Sequence, residues 1–143
     1  MKNVSVLGGY KIVEIKQITS QEKGRLQFFE GENDIPFAIK RIYYITDVKK
    51  GVWRGAHSHK NLKQLLFCPF GEILIKLTDG IVSNSILLNE PNKGVLILKP
   101  LWRDILWNQD NSVLCVAASD YYDQSDYIRD FEDFTKFQRE NKY

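Results

Sequence analysis

This chain has few residues that could cross-link it. Cysteine occurs only twice in 143 residues, as Cys68 and Cys115. Two cysteines are too few for a disulfide scaffold, and they lack CxxC spacing. Each lies inside an apolar run, which predicts two buried free thiols in a protein from a reducing compartment.

Long apolar segments are also absent. The N-terminal stretch over residues 1–9 has no apolar core of the length that a signal peptide needs. No other stretch approaches the length of a membrane span. We therefore expect a cytoplasmic protein without a membrane partner.

The chain also lacks a large excess of charge of either sign. The formal net charge is +2, and the 20 basic residues are scattered among 18 acidic ones. A nucleic-acid-binding domain would concentrate basic residues on one face, so we expect no nucleic-acid partner. An anionic ligand would have to be held by a local site.

The order of short apolar runs and turns predicts a single all-β domain over residues 1–143. The chain shows no repeat, linker or low-complexity tract, and its size is enough for one core. Asp79-Gly80 between two apolar runs is a strong hairpin signal. Many short strands with regular turns are typical of a sandwich or barrel. Strands are predicted over residues 42–46, 64–68, 72–77, 81–88, 95–99 and 112–118.

Only the C-terminal region departs from this pattern. Apolar residues from Tyr127 to Phe137 recur three and four positions apart. This spacing predicts a short amphipathic helix, with Ser125 or Asp126 as its N-cap.

His57 and His59 are the only histidines in the chain. On a strand, residues i and i+2 point to the same face, so both imidazoles should enter one space. Arg54 and Lys60 flank them, and burying four such groups without a ligand would be costly. The pair could bind a divalent metal, or it could transfer protons at neutral pH.

The residues around the pair favour proton transfer. Metal-binding cupins follow HxH by a Glu about four residues later and add a third His in a second segment. In this chain Gln64 and Arg103 stand at or near those places. A guanidinium has no lone pair to offer a metal ion and would repel it. We therefore expect a metal-free pocket in which fixed positive charge stabilises an anionic, enolate-like intermediate. Arg41 precedes Tyr43 and Tyr44, one of which should face inward as a proton donor or stacking surface.

These residues resemble the nucleotide-sugar 3,4-ketoisomerases, cupin enzymes that act on dTDP-4-keto-6-deoxyglucose. HxH alone is weak evidence, but several segments match in order and spacing between about residues 35 and 130. The matching segments are residues 35–45, 54–60, 99–103 and 118–129, together with Gln64 and Gly71.

The resemblance implies a homodimeric double-stranded β-helix (a cupin-type jelly roll) that needs no metal or other cofactor. The implied reaction moves the keto group of a dTDP-linked hexose from C4 to C3, before amination in deoxyamino-sugar biosynthesis for glycans such as lipopolysaccharide O-antigen. His57 and His59 would carry the proton transfers, and Tyr43 would serve as a hydroxyl relay or carbonyl donor. The expected substrate-binding residues are Arg41, Arg54, Lys60, Gln64, Arg103 and Tyr121, with Gln64 meeting a sugar hydroxyl and the cations meeting the diphosphate and enediolate.

The resemblance also bears on the product. Relatives carry either His or Arg near position 103, and this choice goes with the face on which C4 is reprotonated. Arg103 favours the gluco 3-keto product over the galacto one, although Lys23 matches neither residue that relatives place near its position. Three alternatives stay open: a metal-dependent cupin enzyme, a dTDP-sugar 3,5-epimerase-like enzyme that pairs its base with Asp, and a non-catalytic nucleotide-sugar-binding module.

Overall fold

A computed structural model describes residues 6–141, so residues 1–5 of the N-terminal stretch considered above lie outside it. Twelve strands and one α-helix are formed in the described part of the chain. The strands are β1 Tyr10–Glu14, β2 Lys16–Ser20, β3 Gly24–Phe28, β4 Arg41–Ile45, β5 Trp53–His59, β6 Gln64–Phe70, β7 Ile73–Thr78, β8 Ser83–Leu88, β9 Lys93–Ile97, β10 Trp102–Trp107, β11 Val113–Ala118 and β12 Tyr127–Ile128, and the helix is α1 Phe131–Asn141.

Two five-stranded antiparallel sheets face each other. One has the order β1-β9-β6-β11-β4 and the other β12-β5-β10-β7-β8, while β2 and β3 form a separate hairpin. The inward side chains of both sheets meet in one core, in which Ile75, Val95 and Trp107 are fully buried. This arrangement confirms the predicted all-β jelly roll with a short C-terminal helix.

Strand boundaries differ from the sequence prediction at Pro69. The strand beginning at Gln64 was expected to end before this proline, because proline cannot donate to a β-ladder. In the structure β6 continues to Phe70, and the register with β11 shifts between Val113 and Cys115. A bulge at this position explains how the strand accommodates the proline. The prediction also missed β1, β2, β3 and β10.

The predicted C-terminal helix begins later than expected. Ser125 and Asp126 lie in a 3₁₀ turn over Gln124–Asp126, and Tyr127 pairs with His59 in a short antiparallel strand. The helix starts at Phe131, where the Asp130 carboxylate accepts the backbone N–H of Asp133. Ser125 and Asp126 are therefore not its N-cap, and that prediction was wrong.

Helix α1 covers the outer face of the sheet that carries β5. Phe134 is completely buried and packs with Trp102 and Ile128. Gln138 donates hydrogen bonds to the carbonyls of Asp79 and Pro100, which ties the helix to two loops. Phe134 is thus part of a small second core, and the Trp102 ring is used for packing in it.

The two cysteines are free, but only Cys68 is buried. Cys115 is half-buried because it lies opposite the exposed Tyr44 in the β11–β4 register, away from the core. The expectation of two buried thiols was therefore wrong for Cys115. Within residues 6–141, no helix has the length and apolar content needed to cross a membrane.

Candidate active site

A bulge in β5 determines which of its side chains face the barrel interior. Gly55 and Ala56 both have positive φ, +95° and +54°. In the register with β10, His57 pairs with Arg103 and Gly55 with Asp104, so Ala56 is an extra residue on β5. Strict alternation would put Arg54 and His57, three positions apart, on opposite faces. The inserted residue brings both onto the face that lines one cavity.

Glycine is required at this bulge. A Cβ at position 55 would lie 2.9 Å from the carbonyl oxygen of Arg103, in a backbone region that other residues adopt at a cost. The only sign of this in the sequence is Gly55, two residues before His57 of the HxH motif, and a glycine alone does not reveal a bulge.

The two imidazoles do lie together, as the HxH spacing predicted. The ring centroids of His57 and His59 are 5.0 Å apart and the rings are perpendicular. The Tyr127 ring packs against both, with its centroid 4.3 Å from His59 and 5.3 Å from His57. Arg129 stacks over Tyr127 at 4.3 Å. Tyr127 thus separates the space beside one histidine from the space beside the other.

His59 has a carboxylate partner that the sequence reasoning did not assign to the site. Asp126 Oδ2 lies 3.0 Å from His59 Nδ1, and Asp126 Oδ1 accepts the backbone N–H of Asn61 at 2.8 Å. Since a carboxylate only accepts, His59 must carry its proton on Nδ1, and Nε2 keeps a lone pair. No partner in the described chain occupies that buried Nε2. Asp126 had been assigned to a helix cap, and only its place within segment 118–129 linked it to the site.

Both histidines are neutral at physiological pH. Burial, reinforced by the charge of Arg103, lowers the pKa of His57 to about 4. The same two causes hold the pKa of His59 well below its usual range. The His59–Asp126 contact is therefore a hydrogen bond between a neutral imidazole and a carboxylate. Neutral imidazoles can accept protons, which is the state that a general base requires.

Tyr43, Gln64 and Arg103 form a buried chain of hydrogen bonds. Tyr43 faces inward on β4, whereas Tyr44 is 68% exposed on the other face. Arg103 Nη1 donates to Gln64 Oε1 at 2.5 Å, and Gln64 Nε2 donates to the Tyr43 hydroxyl at 3.3 Å. Arg103 Nη2 donates to the Leu101 carbonyl at 3.0 Å. Arg103 is 2% exposed, and burial lowers the pKa of its guanidinium to about 10, so the group stays charged at neutral pH.

Two cavities adjoin the histidines. The His57 cavity has a volume of about 350 Å³, and the His59 cavity has a volume of about 360 Å³. Arg41 and Tyr127 contribute to both. The His57 cavity is further lined by Tyr43, Ile45, Arg54, Gly55, Ile105, Leu114 and Arg129, and the His59 cavity by Leu62, Asp120, Tyr121, Tyr122, Asp123 and Asp126.

The structure brings together most, but not all, of the predicted site residues. Arg41, Arg54 and Tyr43 reach the His57 cavity, and the exposed Tyr121 reaches the His59 cavity. Lys60 lies on a separate surface groove with Arg129 and Lys136. Gln64 and Arg103 lie in the interior, where they bond to each other. Among residues 6–141, no three His, Cys, Asp or Glu side chains are grouped as metal ligands would be.

A jelly roll with two neutral imidazoles beside a cationic cavity is the arrangement of an acid–base enzyme of the cupin class. The family model described as FdtA: WxcM-like, C-terminal matches residues 8–139. The chain belongs to this family of nucleotide-sugar 3,4-ketoisomerases, which confirms the resemblance seen in the sequence.

Individual relatives agree with this assignment. The chain is 39% identical over 127 residues to the TDP-4-oxo-6-deoxy-alpha-D-glucose-3,4-oxoisomerase of Aneurinibacillus thermoaerophilus, covering 89% of this chain and 91% of that protein. It is 39% identical to QdtA, a sugar 3,4-ketoisomerase from Thermoanaerobacterium thermosaccharolyticum solved with TDP, with a TM-score of 0.91 over 95% of this chain and 98% of that one. WlaRB, a TDP-quinovose 3,4-ketoisomerase from Campylobacter jejuni, is 38% identical, with a TM-score of 0.86 over 91% and 99% of the two chains.

Proposed function

We propose that this chain converts dTDP-4-keto-6-deoxy-D-glucose to a dTDP-3-keto-6-deoxyhexose by acid–base proton transfer. The observation that carries the proposal is the pair of neutral imidazoles, with ring centroids 5.0 Å apart, beside a cavity lined by three guanidinium groups. The names of the relatives support the substrate class.

The chemistry needs only bases and hydrogen-bond donors. An imidazole removes the C3 proton, which the C4 carbonyl acidifies, and the electron pair of the C3–H bond forms the C3=C4 double bond as the C4 oxygen becomes negative. The O3 proton then passes to O4. Finally C4 accepts a proton as the C3 carbonyl forms. Each proton removed is returned to a neighbouring atom, so the product is an isomer and no oxidant is needed. Imidazoles that are neutral at pH 7 suit the first step.

The cations of the His57 cavity suit the charged part of the substrate. Arg54 and Arg129 line this cavity, and a guanidinium can bind a diphosphate oxygen pair bidentately. Arg103 is too deeply buried to meet the diphosphate, so its charge is assigned to the developing enediolate. A permanent cation beside both histidines would also oppose a bound divalent ion.

For the product, we favour the gluco 3-keto sugar. Arg103 cannot give up a proton near neutral pH, so C4 must receive its proton from the histidine side. WlaRB supports this choice, because quinovose is 6-deoxyglucose. The coupling between H4 and H5 of the product, measured in H2O, distinguishes the two: a large coupling is expected, and a small one would indicate the galacto product.

We further propose that the protein is a cytoplasmic homodimer whose product is aminated at C3 for a deoxyamino sugar of a surface glycan such as lipopolysaccharide. Ile42 and Tyr44, 62% and 68% exposed on the outer face of β4, support a subunit contact. Light scattering should give twice the chain mass of 16.7 kDa. A monomer at micromolar concentration would contradict the assembly.

Deuterium exchange tests the reaction. With dTDP-4-keto-6-deoxyglucose in D2O, proton NMR should show deuterium entering C3 of the substrate and C4 of the product. His57→Asn should abolish both. Exchange at the native rate in a His57→Asn, His59→Asn double variant would show that other groups are the bases. Full activity after chelator treatment is also expected, and its loss, restored by a divalent ion, would support the metal-dependent alternative.

The His59–Asp126 pair favours examining one alternative in the same experiment. A base paired with Asp is also the feature that marks the 3,5-epimerase-like alternative. Such an enzyme would introduce deuterium at C5 as well as C3 and would leave the keto group at C4. We expect no exchange at C5. A non-catalytic binding module would show exchange at neither carbon.

A further inference from the structure

The donors of Arg103 determine how the Gln64 amide is oriented. A guanidinium carries only N–H donors, so the amide atom 2.5 Å from Arg103 Nη1 must be the oxygen of Gln64. The other end of the amide, Nε2, then faces the Tyr43 hydroxyl at 3.3 Å. An NH2 group only donates, so the Tyr43 oxygen accepts this hydrogen bond.

The direction of that bond leaves the hydroxyl hydrogen of Tyr43 available. Gln64 is the hydrogen-bond partner of this hydroxyl within residues 6–141. Tyr43 lines the His57 cavity, and its ring contacts the Arg41 guanidinium at 5.5 Å. Burial raises the pKa of Tyr43, so the phenol keeps its proton at neutral pH. A protonated phenol whose oxygen is already occupied must donate elsewhere.

We propose that Arg103 and Gln64 are positioning residues that aim the Tyr43 O–H into the His57 cavity, where it donates a hydrogen bond to the sugar oxygen that becomes negative. This inference rests on the proposed ketoisomerase reaction, in which that oxygen is O4. Tyr43 keeps its proton and stabilises the oxyanion. A donor fixed in place before the reaction costs no reorganisation when charge develops. Arg103 then acts through Gln64, because its donors fix which end of the amide faces the Tyr43 hydroxyl.

The decisive variant is Gln64→Glu, which has the same shape as the native side chain. Its carboxylate would accept from Arg103 and also from Tyr43, so the phenol hydrogen would turn away from the cavity. We expect kcat to fall about 100- to 1000-fold, the loss typical of removing one oxyanion donor, with KM changed less than about 3-fold. Gln64→Met, which removes the amide without capturing the phenol hydrogen, should lose only about 10-fold.

Two further variants complete the series. Arg103→Lys retains a donor toward Gln64 Oε1 and should stay within about 10-fold of native kcat. Tyr44→Phe removes a phenol hydroxyl from the opposite face of the same strand, away from the His57 cavity, and should leave turnover unchanged. A purely structural role for Gln64 predicts the reverse order, with the isosteric glutamate milder than the methionine. That order, or native turnover in Gln64→Glu, would overturn the proposal.

A measurement without turnover separates this inference from the proposed reaction. In the native protein, NMR should show contacts between the Gln64 side-chain NH2 hydrogens and the Tyr43 ring hydrogens beside the hydroxyl. The pKa of Tyr43, followed by ¹³C-labelled tyrosine and assigned with Tyr43→Phe, should rise in Gln64→Glu because of the added negative charge. An amide whose oxygen faces Tyr43 would refute the orientation even in an active enzyme. If the orientation is observed but the deuterium experiment fails, the reaction is wrong and the orientation stands.

Discussion

The cavity beside His57 and the cavity beside His59 share a wall but differ in charge. Three guanidinium groups line the first, those of Arg41, Arg54 and Arg129, and no carboxylate is among the described residues around it. Three carboxylates line the second, those of Asp120, Asp123 and Asp126, together with Arg41. One short motif therefore places its two imidazoles in opposite electrostatic surroundings.

This difference indicates a division of work. Under the proposed reaction, the cationic cavity would bind the substrate diphosphate and stabilise the anionic intermediate, so we expect His57 to meet the reacting carbon. In the acidic cavity, the Asp126 carboxylate accepts a hydrogen bond from His59 Nδ1 and so fixes the tautomer of that imidazole. His57 is partly open to its cavity, whereas His59 is 1% exposed.

The largest effect should come from removing either imidazole. His57→Asn should lower kcat at least about 1000-fold, within the range measured for lost general bases, with little change in the free energy of unfolding. His59→Asn should lower both activity and stability, the latter by about 1–3 kcal/mol, because Asp126 loses a buried donor. Steady-state kinetics and urea unfolding measure the two quantities. Equal stability losses in both variants would contradict the division.

Asp126→Asn should have the next largest effect. A single amide oxygen cannot accept from both Asn61 and His59, so the amide NH2 would face Nδ1 and force the proton onto Nε2. We expect kcat to fall about 10- to 100-fold, and ¹⁵N NMR of the imidazoles should show the other tautomer. Asp123→Asn is the matched control: it alters a carboxylate of the same cavity whose hydrogen bonds, within residues 6–141, are to Ser125. Equal losses in both variants would argue against a tautomer effect.

A smaller effect is expected from the cations. Arg54→Met should raise the Kd for dTDP about 10-fold, since a charge-assisted hydrogen bond contributes about 1.5–3 kcal/mol. Lys60→Met should change it less than about 2-fold, because Lys60 lines a different groove. Calorimetric titration at low and high salt measures both. A larger effect from Lys60 would show that the substrate extends over that groove.

The smallest effect should be that of mild acid on activity. With the pKa of His57 lowered to about 4, kcat/KM should change less than about 2-fold between pH 7.5 and pH 5 and decline only near pH 4. A fall in kcat/KM with a midpoint near pH 6.5 would mean that an ordinary, exposed histidine is the base.

The stability of the protein should respond to acid at a higher pH than its activity does. Below pH 6.5 the histidines become protonated in the unfolded state but stay neutral in the folded state. The free energy of unfolding should therefore decrease by on the order of a few kcal/mol as the pH falls from about 6.5 to 4.

The sequence predicted those features of the molecule that depend on local pattern. Alternation and turn residues identified the all-β fold, and the i, i+2 spacing of the histidines placed both imidazoles on one face. The β10 strand was missed because Arg103 and Asp104 interrupt its apolar residues. The start of the helix was wrong because the apolar spacing of Tyr127 and Ile128 fits both a helix and the strand that they form. The local pattern does not distinguish the helix from the strand, because the strand forms only by pairing of Tyr127 and Ile128 with the edge of β5.

The site could be predicted only as a set of residue types. The role of Asp126 depends on a contact across 67 positions of the chain, and that of Gln64 on one across 39. No local rule reaches that far. Arg54 and His57 were both assigned to the pocket although strand alternation forbids it, and only the bulge reconciles the two assignments.

That bulge makes the site sensitive to length as well as to composition. Ala56 is a single inserted residue, and deleting it would restore strict alternation downstream. Arg54 and His57 would then lie two positions apart, so both would still face the barrel interior, but β5 would lose the local bend and the extra twist that the bulge gives it. The loss would be one methyl-bearing residue, with every proposed catalytic group still encoded. The direction in which β5 presents its imidazoles therefore depends on one residue whose side chain has no chemical role in the site.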